Sequence, residues 1–256
     1  MNFKTTGIVL KQRNYLSEQK YLTLLTEDRG LIDVKLRVFG QVNRNVFRNV
    51  NVIGYYQFNI FDGRYGCVID SAEPIEQFFE LRYDPEKLAI AQYFCELTYL
   101  FVPSKQRAQR HINLLLNALW LLKEDKLEDK FIKCVFELRL LSLSGYMPNL
   151  VCCKNCCSYE KEKMYYIPLQ GVIICNDCID KTSYEEKIEL PNSVLKAMRY
   201  IIYKEDKDIF KFKLYPKYLD FLAYLVEHCV LIFAEKEPTT LNIYRQFVRR
   251  SGEENG

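Results

Sequence analysis

Ten cysteines are spread along a chain of 256 residues, and four of them form two matched pairs, Cys153-Lys-Asn-Cys156 and Cys175-Asn-Asp-Cys178. A C-x2-C turn places two thiolates on one side of the backbone. Two such turns separated by 18 residues suit a tetrahedral four-cysteine zinc ribbon. Gly171, ahead of the second pair, lets the intervening loop fold back as a short hairpin. The competing reading is reduced, buried cysteine, and it is the better one for Cys67, Cys95, Cys134 and Cys229, which fall in strand or helix patterns. Cys152 and Cys157 flank the first pair without forming a C-x2-C of their own and read as bystanders.

Four thiolates leave zinc no open position for water, so one zinc ion at Cys153, Cys156, Cys175 and Cys178 is expected to hold structure and catalyse nothing. A thioredoxin-like role needs a single C-x2-C at a strand-to-helix turn. A nucleobase deaminase needs H-x-E ahead of P-C-x2-C, whereas the two histidines, His111 and His228, are followed by Ile-Asn and Cys-Val. Both read as helix-packing residues. G-x-S-x-G, H-E-x-x-H and the phosphate-binding G-x4-G-K-[ST] are absent from the sequence, and the expectation is a protein that is not an enzyme.

The composition, 49% hydrophobic and 27% charged, is that of a globular protein. A formal charge of +3 is too small to imply a polyanion partner by itself, so any such case rests on where the charges sit. No signal-peptide pattern opens the sequence and no window is apolar enough to span a membrane. The expected location is the cytoplasm, in association with the nucleoid, where thiols stay reduced and clustered cysteines bind metal.

The elements that must position these residues begin with five strands: 7–14, 18–26, 31–39, 52–61 and 65–73. Asp28-Arg29-Gly30 and Asp62-Gly63 supply tight hairpin turns. Val34 and Leu36 alternate with Lys35 and Arg37, and Tyr56, Phe58 and Ile60 with Gln57 and Asn59, the period of a sheet with one buried face. Five strands in this length fit a small closed barrel, either an OB-fold or an SH3-like barrel. Asp84-Pro85 opens a helix. Ser104 is placed to cap a second, and a third runs from about 128 to 144 and stops at Gly145. Helices follow the cysteine-rich segment at 192–203, 217–234 and 240–250. The fold class is α+β and multidomain: a five-stranded OB-fold barrel at 1–80, and a helical domain at 81–256 with the zinc ribbon inserted at 150–182.

The first 50 residues hold nine basic and four acidic side chains, and residues 51–80 hold one and five. Lys35, Arg37, Arg44 and Arg48 lie in a stretch without acids. In OB-folds this region commonly lines an oligonucleotide groove. Phe39 and Phe47 are candidate stacking partners and Arg13 a further cation. A solvated face explains the same charges equally well. A second acid-free run covers 97–123, with Lys105, Arg107 and Arg110 at the start of the second helix. A lysine cluster over 204–217, diluted by acids, reads as a solvated loop.

Gly7-Ile8-Val9-Leu10, Glu18 and Leu24-Leu25-Thr26-Glu27-Asp28-Arg29-Gly30 resemble the opening strands of the RecO family of bacterial recombination mediators. Phe136-Glu137-Leu138-Arg139-Leu140-Leu141, then Gly145-Tyr146-Met147-Pro148, Leu150 and the first cysteine pair, are similar to that family's helix leading into its zinc ribbon. Two elements depart from the pattern. Phe39-Gly40-Gln41-Val42-Asn43-Arg44 replaces a Gly-Ala-rich basic loop, and Thr239-Thr240-Leu241 replaces a Lys-Ser-Arg element, with Arg245-Gln246-Phe247 retained.

The resemblance implies binding of single- and double-stranded DNA, annealing of complementary strands, partnership with RecR, and help for RecA in replacing single-strand-binding protein during recombinational repair by the RecF pathway. It also implies recognition of that protein's acidic, aromatic-ended C-terminal tail, which needs a hydrophobic pocket rimmed by cations. Lys105, Arg107, Arg110 and Arg139 are the candidates for it, and Arg13, Lys35, Arg37, Arg44 and Arg48 those for DNA. The rival reading is a zinc-ribbon adaptor that binds proteins without direct DNA affinity.

Overall fold

The computed structural model describes residues 1–16, 19–37, 49–104, 106–181 and 183–253, with the side chains of 15, 16, 37 and 249–253 left aside. Its contacts gather into two compact units, residues 1–126 with 238–256, and residues 127–237. No helix among the described residues is long and apolar enough to cross a membrane.

In the first unit, β1 (Asn2–Leu16), β2 (Gln19–Thr26), β3 (Gly30–Arg37), β4 (Tyr55–Gly63) and β5 (Gly66–Glu76) close into a barrel of order β1-β2-β3-β5-β4. The parallel β3–β5 contact closes the ring, with Lys35 opposite Val68, and the barrel is an OB-fold. Val9, Leu22, Leu24, Leu36, Phe58 and Ile60 fill its interior. These are the apolar members of the alternating pattern. β1 is longer than expected because its first half pairs with β4 and its second with β2, with irregularities after Val9 and Asn14 that bend it between the two. The fourth strand starts later than its sequence suggests. Ile53 takes φ 75°, which ends extended structure, and its amide donates to Val9 O at 2.9 Å.

Helix α1 (Pro85–Phe101) opens as expected: the Asp84 carboxylate accepts from the amides of Glu86 at 2.9 Å and Lys87 at 3.2 Å. Helix α2 (Gln109–Glu124) does not begin at a Ser104 cap. Ser104 instead bridges Gly30 and Leu31, and Ala108 N donates to Glu27 O at 3.0 Å. The hairpin tip competes successfully for this segment because residue 30 has no side chain. Its φ is 61°, and a Cβ there would lie 2.4 Å from Gln106 O.

In the second unit, α3 (Asp129–Leu141) is buried from Phe131 onward and ends in a wide turn, Ser142–Tyr146, where Gly145 takes φ 98°. It packs against α5 (Asn192–Tyr203) and α6 (Pro216–Phe233). Between α3 and α5 the chain forms a small sheet of β6 (Asn149–Cys153), β7 (Met164–Ile167), β8 (Val172–Cys175) and β9 (Ile188–Leu190), in the order β6-β8-β7-β9. The one-turn helix α4 (Asn176–Ile179) follows β8. The last helix, α7 (Thr239–Glu253), belongs to the first unit and packs on α1.

Candidate metal centre and nucleic-acid interface

Strands β6 and β8 run parallel, with Cys153 opposite Ile173 and Lys154 N donating to Ile173 O at 2.9 Å. The last residues of the two strands, Cys153 and Cys175, are thereby brought close, and Cys175 N lies 3.4 Å from Cys153 Sγ. After Cys153 the chain turns tightly, Cys157 N donating to Cys153 O at 2.9 Å, and Cys156 swings back to the same side. After Cys175 the single turn of α4 returns Cys178 one helical step later. The four Sγ atoms all lie within 4.8 Å of one another, and these residues could hold one metal ion. Cys156 Sγ is 3.6 Å from Cys175 Sγ. A tetrahedron with metal–sulfur bonds of about 2.3 Å has edges of roughly 3.8 Å, so the packing suits the donor set.

The electrostatics of the cluster point the same way. The Ser158 side chain and backbone hold the Cys156 thiol down to about 6, whereas burial, with the neighbouring thiols, pushes Cys178 up to about 12. Four thiolates crowded together repel one another, and a divalent cation among them removes that conflict. Cys152 and Cys157 stand outside the group. Cys95, Cys134 and Cys229 are buried thiols in helices, and Cys67 is half-buried in β5.

On the barrel, strand register aligns residues far apart in sequence. Arg13 of β1 lies opposite Tyr21 of β2, which lies opposite Lys35 of β3. Neighbours opposite each other in antiparallel strands share a face. Their neighbours Leu22, Val34 and Leu36 point into the core, so this row faces outward. Lys35 Nζ sits 5.8 Å from the Tyr21 ring centroid and donates to Tyr65 O at 2.9 Å. Tyr65 is 81% exposed, next to exposed Arg64 in the β4–β5 turn. Arg64 and Tyr65 escaped the sequence reading because the closing β3–β5 pair that brings their turn to Lys35 is long-range, and Tyr21 because only strand pairing sets it between Arg13 and Lys35. Arg37 ends β3. Arg44 and Arg48, like Phe39 and Phe47, lie outside the described residues.

Of the four partner-binding candidates, Arg107 and Arg110 belong to the first unit and Arg139 to the second. Lys105 lies outside the described residues. Arg107 precedes α2 rather than sharing a helix face with Arg110, which stands in its first turn, and both are exposed. Arg139 belongs to the other unit and points inward, 3% exposed. Its guanidinium donates to the carbonyls of Ile201 at 3.0 Å, Ile202, and Lys204 at 3.0 Å, and pairs with Asp206. It caps the C-terminal end of α5, where helix carbonyls lack amide partners. The expectation that Arg139 meets a partner is corrected by this burial. His111 is buried on α2, and His228 contacts Glu186 at 3.0 Å.

A family model described as Recombination protein O C terminal matches residues 82–235. The chain belongs to the RecO family. It is 27% identical over 250 residues to the DNA repair protein RecO of Acetivibrio thermocellus, covering 97% of this chain and 99% of the relative. The corresponding protein of Alkaliphilus metalliredigens is 28% identical over 92% of this chain and 95% of its own length. That of Caldicellulosiruptor bescii is 30% identical over 75% and 78%. Membership places the chain among DNA repair and recombination proteins.

Proposed function

We propose that this chain is a recombination mediator that binds single- and double-stranded DNA through its barrel and anneals complementary strands. With RecR, it helps RecA load onto DNA coated by single-strand-binding protein. The observation that carries this reading is the outward row of Arg13, Tyr21 and Lys35, extended by Arg64 and Tyr65. It combines cations for phosphates with aromatic faces for bases, which is what a single-strand groove requires. Annealing needs no catalytic group, only a surface that neutralises two strands and lets their bases pair. Arg37, Arg44 and Arg48 continue the same basic stretch.

The cluster of Cys153, Cys156, Cys175 and Cys178 takes one structural zinc. Four soft thiolate donors in this arrangement favour that ion, and a fully protein-ligated zinc ties β6, β8 and α4 together without chemistry of its own. For the acidic tail of single-strand-binding protein, Arg107 and Arg110 remain with Lys105. The first turn of α2 holds no acidic residue and Ala108 provides no side-chain cap, so the helix start favours carboxylates. Weaker tail-peptide binding by folded Arg110→Glu, with DNA binding intact, supports that assignment, and unchanged affinity rejects it.

The DNA reading is tested by titrating a single-stranded oligonucleotide across salt concentrations. Replacing Arg13, Lys35 and Arg37 by Ala lowers the log-log slope by about two, since each phosphate contact contributes roughly 0.7. A slope equal to that of the unaltered protein moves the DNA site off the barrel.

A further inference from the structure

Two cavities adjoin along α5 in the second unit. The first, about 460 Å³, is lined by Val151, Tyr159, Arg199, Tyr203 and Lys204 together with Lys196 and Tyr200. The second, about 290 Å³, shares Lys196 and Tyr200 and adds Phe212, Lys213 and Tyr215 among its walls. Among the described residues, no acidic side chain lines either cavity. Glu160 lies 3.7 Å from Lys196 and 4.0 Å from Arg199.

The walls are held in place from behind. Arg199 is 7% exposed and donates to Leu150 O at 2.7 Å, Val151 O at 3.2 Å and Tyr159 O at 2.7 Å, while its guanidinium lies 4.0 Å from the Tyr159 ring centroid. Its Nη1 is buried without a hydrogen-bond partner. Tyr200 is fixed by its hydroxyl, whose one proton is shared between Asp208 O at 3.2 Å and Lys211 O at 3.3 Å, and its ring packs 5.1 Å from Phe212. Tyr159, Tyr203 and Tyr215 nevertheless expose 59%, 49% and 75% of their surface. Large aromatic surface left to solvent on a braced frame marks a binding surface.

We infer that this groove binds an unpaired DNA strand, seating successive bases against the tyrosines with their phosphates on Lys204, Lys196 and Lys213. The mixture of cations and rings on the walls favours this occupant. Lys204 lines only the first cavity, Lys213 only the second and Lys196 both, so each cavity offers two lysines for phosphates beside tyrosine rings for bases. An acidic peptide ending in one aromatic residue occupies a single ring, whereas successive bases use the exposed faces of Tyr159, Tyr203 and Tyr215 together. The inference rests on the DNA-annealing reading and deepens it: the barrel holds one strand and the α5 groove offers a place for a second. Two lysines from the run that reads in sequence as a solvated loop thereby acquire a role.

The test uses the full chain and a single-stranded oligothymidylate carrying 5-iodouracil. Irradiation is expected to crosslink it to Tyr159, Tyr203 or Tyr215 as well as to the barrel. Tyr159→Ala combined with Tyr215→Ala keeps barrel binding within about twofold and slows annealing of complementary oligonucleotides by about tenfold or more, since the loss of a single stacked base is worth about tenfold. Lys196→Glu with Lys213→Glu, both on exposed side chains, repeats the loss if the tyrosine variant folds poorly. Crosslinks confined to the barrel with unaltered annealing in both variants overturn the groove while leaving the barrel reading intact. Failure of the unaltered protein to bind oligonucleotide overturns both. Displacement of an acidic aromatic-ended peptide, without crosslinks at these tyrosines, makes the groove a peptide site and also overturns the inference.

Discussion

The barrel and the cysteine-bearing sheet are both small β structures, yet different forces hold them. Five strands of eight to fifteen residues enclose a continuous apolar interior in the barrel, with Leu22, Leu24, Tyr56 and Phe58 nearly inaccessible. Strands β6 to β9 have three to five residues each, too few to surround a core of their own. The barrel's apolar packing is its own interior, whereas the small sheet, although Leu150, Tyr166, Ile173 and Ile174 are buried, adds four thiols at and just beyond the ends of β6 and β8. Strands too short to close on a core of their own are commonly supplemented by a cross-link, and a metal is the form of cross-link that a four-cysteine cluster offers.

The sharpest way to break this contrast is Cys175→Ser. Structural zinc contributes on the order of 10 kcal/mol to folding small sites, so the variant, or chelation of the unaltered protein, should release the metal and expose amides of residues 149–190 to hydrogen exchange. Barrel amides should keep their protection. Metal analysis of the purified protein showing no zinc would remove the basis of the comparison. The reciprocal change is Phe58→Ala, which deletes a fully buried ring from the barrel interior and should cost about 3–5 kcal/mol. Denaturant unfolding followed alongside metal content should show a weakened barrel with one zinc still bound. Loss of zinc in that variant would show that the two regions do not stand independently.

Features carried by short stretches of sequence were readable. The paired cysteines, the Asp84-Pro85 opening, the hairpin at Gly30 and the alternation around Val34 and Phe58 each depend on neighbours within a few residues. What escaped depends on contacts across the chain. Ser104 is a sound local cap, but the β2–β3 hairpin claims it. Arg139 looks like a surface cation on a helix until α5 arrives with carbonyls to be capped. Lys35 acquires Tyr65 only when β5 closes the ring. Thr239-Thr240, which departs from the family's pattern, also has a structural use. In each case the deciding partner lies 30 or more residues away, or on a bridge such as that from Ser104 to Gly30, and no local preference reports it.

The smallest expected effect lies at a joint of a third kind, where a single carboxylate fastens a helix. Glu96 on α1 accepts from the amides of Thr239 at 3.1 Å and Thr240 at 2.8 Å, from Thr239 Oγ1 at 3.0 Å, and from Thr240 Oγ1. It thus supplies from another helix the cap that α7 needs at its start. Burial alone would raise the Glu96 carboxyl, but the bonds from Thr240 and Thr239 outweigh it and leave it below the ordinary 4.5. A depressed folded value means that the ionised form is favoured by folding. Its contribution is therefore present above about 4.5 and fades as pH falls through the lower folded value. Glu96→Gln keeps the shape but removes the charge, and should weaken α7 docking by about 1 kcal/mol. Hydrogen exchange of the α7 amides at neutral pH should detect this. As pH falls from about 4.5 through the lower folded value, the unaltered protein should converge on the variant, whose exchange should follow intrinsic rates alone. Parallel pH profiles for the two proteins would show that α7 is held by its apolar contacts with α1 and that the carboxylate cap adds nothing.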